Sequence, residues 1–337
     1  MLKVFNIKSF CLSTICYFIL FSLLNFKQIE KNINKKTKYD LKAQLSTENI
    51  TEDVNINNAV VDISTHFKKK EIANESLCNI TFVSAYFQIS SKHAVEEYKT
   101  WMTNLFSNKM CMVFYYEEDL QVKPKEEQKN TYIFKHVVLS EVAAAFFNKT
   151  EEFWIHQTRL DPEIGIHKSY QLYWIWGLKT HFLEEVALSN PFQSEVFFWF
   201  DAGYIRSDKY TYKDWLKLQV PLPMKKHKGI FILRLAFYTE KHKKVNEHGK
   251  IDWDFSSENH LGGGAFGGNV DSIRHWSKLY KDTFQYYTEI NRFLGKDQSL
   301  FSTMCLKQLN MCRFVDPDPN LNDIWFGMIP FITGDMQ

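Results

Sequence analysis

The stretch "EVFFWFDAGYIRSD", residues 195–208, carries the strongest indication of the fold. Five apolar residues in succession, Val196 to Phe200, end at Asp201. A run this short and this aromatic is typical of a strand buried on both faces, as in a parallel sheet. Asp201 therefore lies at the end of a buried strand, where it either caps a turn or contacts a ligand.

Strand and helix patterns alternate on the amino-terminal side of this stretch. Apolar runs predict strands within residues 79–87, 110–119 and 131–139, a helix over 93–106, and, after a loop, a long helix over 167–186. This alternation predicts an α/β fold with a mostly parallel sheet flanked by helices. Ligands bind beyond the carboxyl ends of the strands in such sheets, which is where Asp201 would lie.

The composition indicates a globular protein with a substantial core. The chain has 337 residues, of which 45% are hydrophobic and 16% aromatic. Its formal net charge of +2 gives no reason to expect a nucleic acid as partner.

The amino terminus predicts a membrane anchor. Residues 10–26 are uncharged, and as a helix they would span about 26 Å, close to the ~30 Å thickness of a bilayer core. No small-residue cleavage pattern follows, so we expect an uncleaved signal anchor after a short cytoplasmic tail, residues 1–9. More lysines follow the segment than precede it. Taken alone, the positive-inside rule would therefore place the bulk of the chain, after the anchor, in the cytosol instead of the lumen.

The chain after the anchor is predicted to consist of a disordered stem and a globular domain, called the head below. Residues 27–75 are polar and poor in aromatics, as in a disordered stem, and residues 76–337 form the predicted lumenal domain. Four sequons permit glycosylation in the secretory pathway. They lie at Asn49, Asn74, Asn79 and Asn148.

Cysteine usage is compatible with that compartment. Beyond the anchor the chain has four cysteines, an even number that allows two disulfides in any of three pairings. They are Cys78, Cys111, Cys305 and Cys312. Anchor, stem and head together predict a single-pass type II membrane protein of the Golgi or endoplasmic reticulum.

A glycine-rich segment, residues 258–276, precedes an amphipathic helix. Its glycines are Gly262, Gly263, Gly264, Gly267 and Gly268. A dinucleotide loop normally comes early in a Rossmann unit, whereas this segment comes late, and the Walker pattern is missing. The alternatives are close approach to a ligand and tight strand packing without one.

A third feature is "LGKDQSLFSTMCLKQL", residues 294–309, in which Asp297 is well placed to cap a helix that runs to Leu309. N-capping alone would account for Asp297 as well as a role in a site would.

Taken together, these features resemble a known family. The acidic turn after an aromatic strand, the late Gly-Gly-x-Phe-Gly-Gly segment and the downstream Asp-Gln resemble nucleotide-sugar glycosyltransferases of the GT-A fold, and the glycine segment is similar to that of the blood-group galactosyl- and N-acetylgalactosaminyltransferases. More specifically, "VSAYFQI", "YKTWMTNLF", "NPFQSEVFFWFDAGYIR" and the glycine segment resemble the HtrL/YibB family. The resemblance covers about residues 79–310 and implies a GT-A-like glycosyltransferase domain.

The resemblance places Asp201 at the first acid of the DxD motif, which holds a divalent cation on the donor diphosphate. Gly203 stands where the second acid would be, Asp208 is five residues further on, and no histidine follows His275 to serve as a late ligand. The implied site either holds Mn²⁺ or Mg²⁺ through Asp201 and the diphosphate oxygens, or uses no metal and relies on basic residues and backbone N–H groups.

Other residues complete the implied site. Asp297 would face the reacting carbon or the acceptor hydroxyl as general base. Basic side chains would meet the donor phosphates, although an ordinary salt bridge explains each of them equally well. The implied donor-binding residues are Asp201, Gly203, Arg159, Lys168, Arg234, Gly263, Gly264, Gly267 and Gly268.

Three functions remain open on the sequence. The first is transfer of a sugar from a nucleotide-diphosphate donor to a glycan, protein or lipid. The second is a catalytically inactive carbohydrate-binding or scaffold domain, favoured by the incomplete DxD motif. The third is a hydrolase that uses Asp201 and Asp297 as a carboxylate pair, which requires the two groups to face each other across a cleft.

Overall fold

The computed structural model describes residues 78–90, 93–211, 213–319 and 323–335. The predicted tail, anchor and stem, residues 1–75, lie outside these ranges. Within them, no helix combines the length and the apolar character that a membrane crossing requires.

Seven strands form a single sheet in the described part of the chain. They are β1 (Ile80–Tyr86), β2 (Cys111–Tyr116), β3 (Tyr132–His136), β4 (Val196–Phe200), β5 (Ile230–Arg234), β6 (Leu261–Gly268) and β7 (Cys312–Val315). Their order across the sheet is β3-β2-β1-β4-β6-β5-β7. The strands from β3 to β4 are mutually parallel and β5 is parallel to β7, whereas β6 runs antiparallel to both β4 and β5. The predicted mostly parallel sheet is confirmed.

Helices cover both faces of the sheet. They are α1 (Val95–Phe106), α2 (Leu139–Phe147), α3 (Glu151–Leu160), α4 (Ile164–His167), α5 (Gln171–Ser189), α6 (Leu222–Lys226), α7 (Val270–Glu289), α8 (Asp297–Lys307) and α9 (Met328–Thr333). One core lies between the sheet and α2, α5, α7 and α8, and a second lies between the opposite face and α1, α6 and α9.

Strand β4 is buried on both faces, as its apolar run predicts. Phe197 and Trp199 point into the first core, whereas Phe198 and Phe200 point into the second. Because successive side chains of a strand alternate between faces, an uninterrupted apolar run is what a doubly covered strand requires.

The prediction of a loop between the third strand and the long helix is wrong. The segment contains α2, α3 and the single turn α4, and the long helix begins at Gln171 instead of residue 167. Leu139, Ala143 and Phe147 are buried at helical spacing, and the Thr150 hydroxyl caps α3 by accepting from the Phe153 N–H.

The glycine segment is a central strand, because residues 261–268 form β6. A Cβ on Gly267 would lie 2.2 Å from the Phe197 carbonyl oxygen, and one on Gly268 would lie 2.7 Å from the Gly229 carbonyl oxygen. Tight strand packing therefore explains these two glycines.

We expect Gly267→Ala to lower the free energy of unfolding by about 1–3 kcal/mol, because the added methyl group meets backbone that cannot move aside without breaking the β4–β6 pairing. Gly165→Ala is the matched control, since a Cβ at Gly165 in α4 meets nothing within 4 Å. Denaturant unfolding of both variants measures the difference. Equal stability of the two variants would contradict the packing argument.

The four cysteines beyond the anchor form two disulfides. Cys78 pairs with Cys111 and Cys305 pairs with Cys312, with Cα–Cα distances of 6.3 and 5.5 Å. The structure thus selects one of the three pairings that the sequence allows.

The two sequons in the described ranges differ in accessibility. Asn148 is exposed at the end of α2, whereas the partly buried Asn79 donates its side-chain N–H to the Leu218 carbonyl. Asn49 and Asn74 lie outside the described residues.

Candidate active site

A cleft of about 490 Å³ opens at the carboxyl ends of β1 and β4. The loops after β1 and β4, one face of α5, the centre of β6 and the start of α8 contribute to its walls. The position is the one expected for a ligand site in a sheet of this kind.

A buried ammonium group lies at one end of this cleft. Lys179 Nζ is 3.0 Å from Asp201 Oδ1 and 2.9 Å from Asp297 Oδ2, and it donates to the Gly263 carbonyl at 3.0 Å. The side chains of Lys179 and Asp297 are 3% and 4% exposed. Asp201, Asp297 and the glycine strand, which are distant in sequence, therefore meet at one side chain.

The charge state of this cluster follows from its surroundings. Burial alone would lower the pKa of Lys179, but the carboxylates of Asp201 and Asp297 raise it above its ordinary value. Burial raises the pKa of Asp297, and the ammonium only partly offsets that effect. Lys179 is therefore protonated at neutral pH and holds the two carboxylates together.

Sequence reasoning missed Lys179. Its signal was a single lysine on the apolar helix α5, where Leu172, Ile175 and Trp176 share its face toward the cleft. A lysine on such a face needs an acidic partner or a path to solvent.

The Asp201 carboxylate is not the cap of its turn. The Tyr204 N–H donates to the Asp201 backbone carbonyl at 2.8 Å, and the Asp201 N–H donates to the Gly264 carbonyl at 2.8 Å. The carboxylate instead accepts from Trp199 Nε1 at 2.7 Å, and its side chain is 40% exposed toward the cleft. The turn therefore needs only the backbone of Asp201, which leaves the carboxylate to serve the site.

The second position of the DxD pattern has no room for a side chain. A Cβ on Gly203 would lie 2.6 Å from the Trp101 ring, and Asp208 is exposed in a short 3-10 helix away from the lining of the cleft. A cation bridging Asp201 and Asp297 does not fit either, because Lys179 lies between them. One carboxylate together with diphosphate oxygens and water is nevertheless a donor set that Mg²⁺ accepts.

The charge of the cleft matters for any diphosphate. Three lysine and arginine side chains and two histidines line it among the described residues, together with four carboxylates. The lysines and the arginine are Lys179, Lys296 and Arg206, the histidines are His93 and His167, and the carboxylates are Glu163, Asp201, Asp297 and Asp323. The lysine, arginine and carboxylate side chains of the lining therefore provide no excess of positive charge for a diphosphate.

Arg206 contributes a guanidinium group to the cleft lining. It lies 3.9 Å from the Trp101 ring centroid and 5.1 Å from that of Phe326, and its Nε donates to the Gly203 carbonyl. Such stacking holds a guanidinium in place while leaving donors available. No pattern in the sequence distinguishes Arg206 from other exposed arginines.

Two glycines of the segment, Gly263 and Gly264, line the cleft. A Cβ on Gly263 would lie 2.8 Å from Asp297 Oδ2, and one on Gly264 would lie 3.4 Å from Asp201 Oδ2. Glycine at these positions lets the strand approach both carboxylates.

The other proposed donor-binding residues lie outside this cleft. Arg159 and Lys168 are exposed on α3 and directly after α4, and Gly267 and Gly268 pack within the sheet. Arg234 forms two 2.7 Å hydrogen bonds with Asp316. For Arg234 the salt-bridge alternative is the one the structure supports.

A second polar cluster lies on the cleft wall beside the start of α5. Asp161 Oδ2 is 2.6 Å from both His167 Nδ1 and the Tyr173 hydroxyl, and Asp161 Oδ1 accepts from the Glu163 N–H at 2.8 Å. Glu163 Oε2 accepts from Lys296 Nζ at 2.8 Å. Nothing in the sequence pattern had set these residues apart.

The two clusters meet at the start of α8. Lys296 pairs with Glu163 and the next residue, Asp297, pairs with Lys179. The prediction that Asp297 caps this helix is wrong, since Lys296 occupies the N-cap position and Asp297 is the first helical residue. The carboxylate instead accepts from the adjacent Gln298 N–H at 2.8 Å.

A third ionisable cluster, His242, Glu258 and His260, is not part of the cleft lining. Glu258 Oε2 lies 3.1 Å from His242 Nε2 and 2.6 Å from His260 Nε2. The Thr239 N–H donates to His242 Nδ1 at 2.8 Å, which places the histidine proton on Nε2, facing the carboxylate. This tautomer places a hydrogen atom at Nε2 in place of a lone pair, and so opposes metal binding through Nε2.

Fold and site define an α/β protein whose sheet carries a lysine-bridged pair of carboxylates at the edge where ligands bind. The chain belongs to the HtrL_YibB family, described as "Bacterial protein of unknown function (HtrL_YibB)", whose family model matches residues 144–318. That range includes both cleft clusters, with Asp161, His167, Lys179, Asp201 and Asp297.

No curated protein is a significant match to the chain. Among solved structures, mouse xyloside xylosyltransferase 1 in its apo form is similar at 13% sequence identity, over 70% of this chain and 85% of that one, with a TM-score of 0.34. A likeness this loose carries no argument about activity.

Proposed function

We propose that this protein is a glycosyltransferase of GT-A type that moves a sugar from a nucleotide-diphosphate donor to a glycan, protein or lipid acceptor. The observation that carries the proposal is that the Asp201 carboxylate is 40% exposed in the cleft and is held in place by an ion pair with the buried Lys179. Its position at the carboxyl end of β4, beside Gly263 and Gly264, is where the donor would lie.

In this proposal Asp201 would hold Mn²⁺ or Mg²⁺, which would supply the positive charge that the departing diphosphate requires. Arg206 is placed to contact a phosphate or the nucleotide, because stacking fixes its guanidinium at the cleft. Gly263 and Gly264 give the donor sugar a surface of backbone.

Asp297 has a positioning role in the proposed reaction. Its carboxylate is almost fully buried, pairs with Lys179 and lies against Gly263. A general base must reach the proton that it removes, and this carboxylate is committed to the ammonium. Asp297 therefore acts by keeping Lys179, and through it Asp201, in place.

A catalytically inactive carbohydrate-binding domain is the second candidate. The observation in its favour is Gly203, where the packed Trp101 ring leaves no room for a second acid. The hydrolase alternative fits less well, because Lys179 Nζ fills the space between the carboxylates in which a substrate would have to lie.

The proposal places the domain in the lumen of the Golgi or endoplasmic reticulum, as the head of a type II membrane protein. Two disulfides suit an oxidising compartment, and Asn148 is an accessible acceptor for glycosylation. The anchor and stem that the proposal needs lie outside the described residues.

A thermal-shift screen of the full chain against nucleotide sugars, with and without Mn²⁺ or Mg²⁺, tests the proposed function. A donor at 100 times its dissociation constant adds about 2.7 kcal/mol of stability. We expect one class of nucleotide sugar to stabilise the protein, and more so with the cation. Stabilisation by free glycans and by no donor would favour the binding-domain candidate.

A further inference from the structure

We propose that His167, oriented by Asp161, is the general base that removes the proton from the acceptor hydroxyl. This inference rests on the proposed transferase function and assigns to its acceptor side two residues from the cleft wall. Their contacts with each other, with the cleft and with the Lys179 cluster support it.

The Asp161 carboxylate fixes the tautomer of the histidine. The Asp161 side chain is fully buried and accepts from His167 Nδ1 at 2.6 Å. Although burial acts to raise it, the pKa of Asp161 is held below its ordinary value by hydrogen bonds from His167 and Tyr173. An ionised Asp161 keeps the proton of neutral His167 on Nδ1, so that Nε2 carries the lone pair.

The Nε2 atom has no hydrogen-bond partner among the described residues, on a side chain that is 6% exposed and lines the cleft. Glu163 Oε2 lies 3.9 Å away, beyond hydrogen-bonding distance. His167, Glu163 and Trp176 all line the cleft. The Trp176 ring lies 4.9 Å from the imidazole, edge to face, and offers an apolar surface beside the base.

The base lines the same cleft as Asp201, Gly263 and Gly264, where the donor is proposed to lie. On helix α5, Trp176 contacts His167 and Lys179 contacts Asp201. These two helix residues are three positions apart, which corresponds to about 4.5 Å along a helix axis. The adjacent residues Lys296 and Asp297 join the same two clusters through ion pairs with Glu163 and Lys179. A sugar between the two clusters would be in reach of both.

The proposed step balances in atoms and charge. The acceptor O–H bond breaks and its proton moves to His167 Nε2, while the acceptor oxygen forms a bond to the anomeric carbon. The bond from that carbon to the diphosphate oxygen breaks, and the electron pair leaves with the nucleoside diphosphate. The resulting imidazolium lies between the carboxylates of Asp161 and Glu163, which stabilise its charge.

His167→Gln tests the assignment in the full chain, with the donor that stabilises the wild type. We expect kcat for transfer to fall by about 10²- to 10⁴-fold while donor-induced stabilisation stays unchanged. His136→Gln, at an exposed histidine at the end of β3, is the matched control and should retain wild-type kcat. A His167→Gln protein that folds and keeps wild-type kcat would overturn the proposal.

Asp161→Asn provides a second test, through the residue that orients the base. Asparagine keeps the size of Asp161 and an oxygen that can accept from His167 Nδ1 and the Tyr173 hydroxyl, but it lacks the charge that stabilises the imidazolium. We expect kcat to fall while donor-induced stabilisation stays unchanged, and a folded Asp161→Asn protein with wild-type kcat would overturn the proposal.

The two proposals fail in different ways. A wild type that neither binds a donor nor transfers a sugar removes the proposed function and the base with it. A wild type that does both, with a His167→Gln or Asp161→Asn variant that keeps wild-type kcat, removes the base alone.

Discussion

Lys179→Met is expected to lower the free energy of unfolding by about 3–5 kcal/mol, because it leaves two carboxylates facing each other without their shared ammonium, one of them fully buried. Methionine keeps the length and the apolar stem of lysine, so the loss is one of charge more than of packing. Denaturant unfolding at neutral pH measures the effect.

Two further variants identify the cause. Lys179→Met combined with Asp297→Asn removes the buried charge along with its partner, so we expect it to be more stable than Lys179→Met alone. Lys135→Met breaks the exposed pair with Glu185 and should cost no more than about 1 kcal/mol. A double variant no more stable than Lys179→Met would show that lost packing, not unpaired charge, is responsible.

The cluster of Lys179, Asp201 and Asp297 shows which features of the site could be predicted from the sequence and which could not. The apolar run before Asp201 was sufficient to predict a doubly buried strand and a carboxylate at the ligand edge of the sheet, because strand burial is a local pattern. The glycine segment likewise indicated close approach. Its antiparallel place between β4 and β5 was not predictable, because strand order depends on contacts between distant parts of the chain.

Charged residues were the least predictable, because a charge in a sequence does not reveal its partner. Arg234 was expected at the donor phosphates, yet its partner is Asp316, just beyond β7. Lys179 was overlooked, although its partners Asp201 and Asp297 had both been singled out. Only the fold brings the face of α5 to the carboxyl ends of the strands.

The histidine on the cleft wall has a similar explanation. His167 and Asp161 lie on either side of a short turn, in a segment that the sequence predicted to be loop and helix start. Their pairing depends on the single turn α4 and on Tyr173 of α5, which donates to the same carboxylate oxygen. No periodic pattern identifies such an arrangement.

Asp201→Asn is expected to leave the fold intact and to remove donor-induced stabilisation, with transfer reduced by about 10²- to 10³-fold. The amide oxygen of asparagine can take the place of Asp201 Oδ1, which accepts from Trp199 Nε1 and lies 3.0 Å from Lys179 Nζ. The amide nitrogen then replaces Oδ2, which accepts from Lys179 at 3.3 Å, so that one weaker hydrogen bond is lost together with the charge that would hold a cation.

Asp208→Asn is the matched control for this substitution, because Asp208 is the acid that follows Asp201 along the chain yet is exposed and away from the cleft lining. Donor binding and transfer in Asp208→Asn should equal those of the wild type, measured by thermal shift with the donor and cation and by a product assay. If Asp201→Asn kept both activities, the carboxylate would be left with its hydrogen bonds to Trp199 and Lys179 alone. Asp201 would then have a structural role, and the proposed transferase would lose the residue on which it most depends.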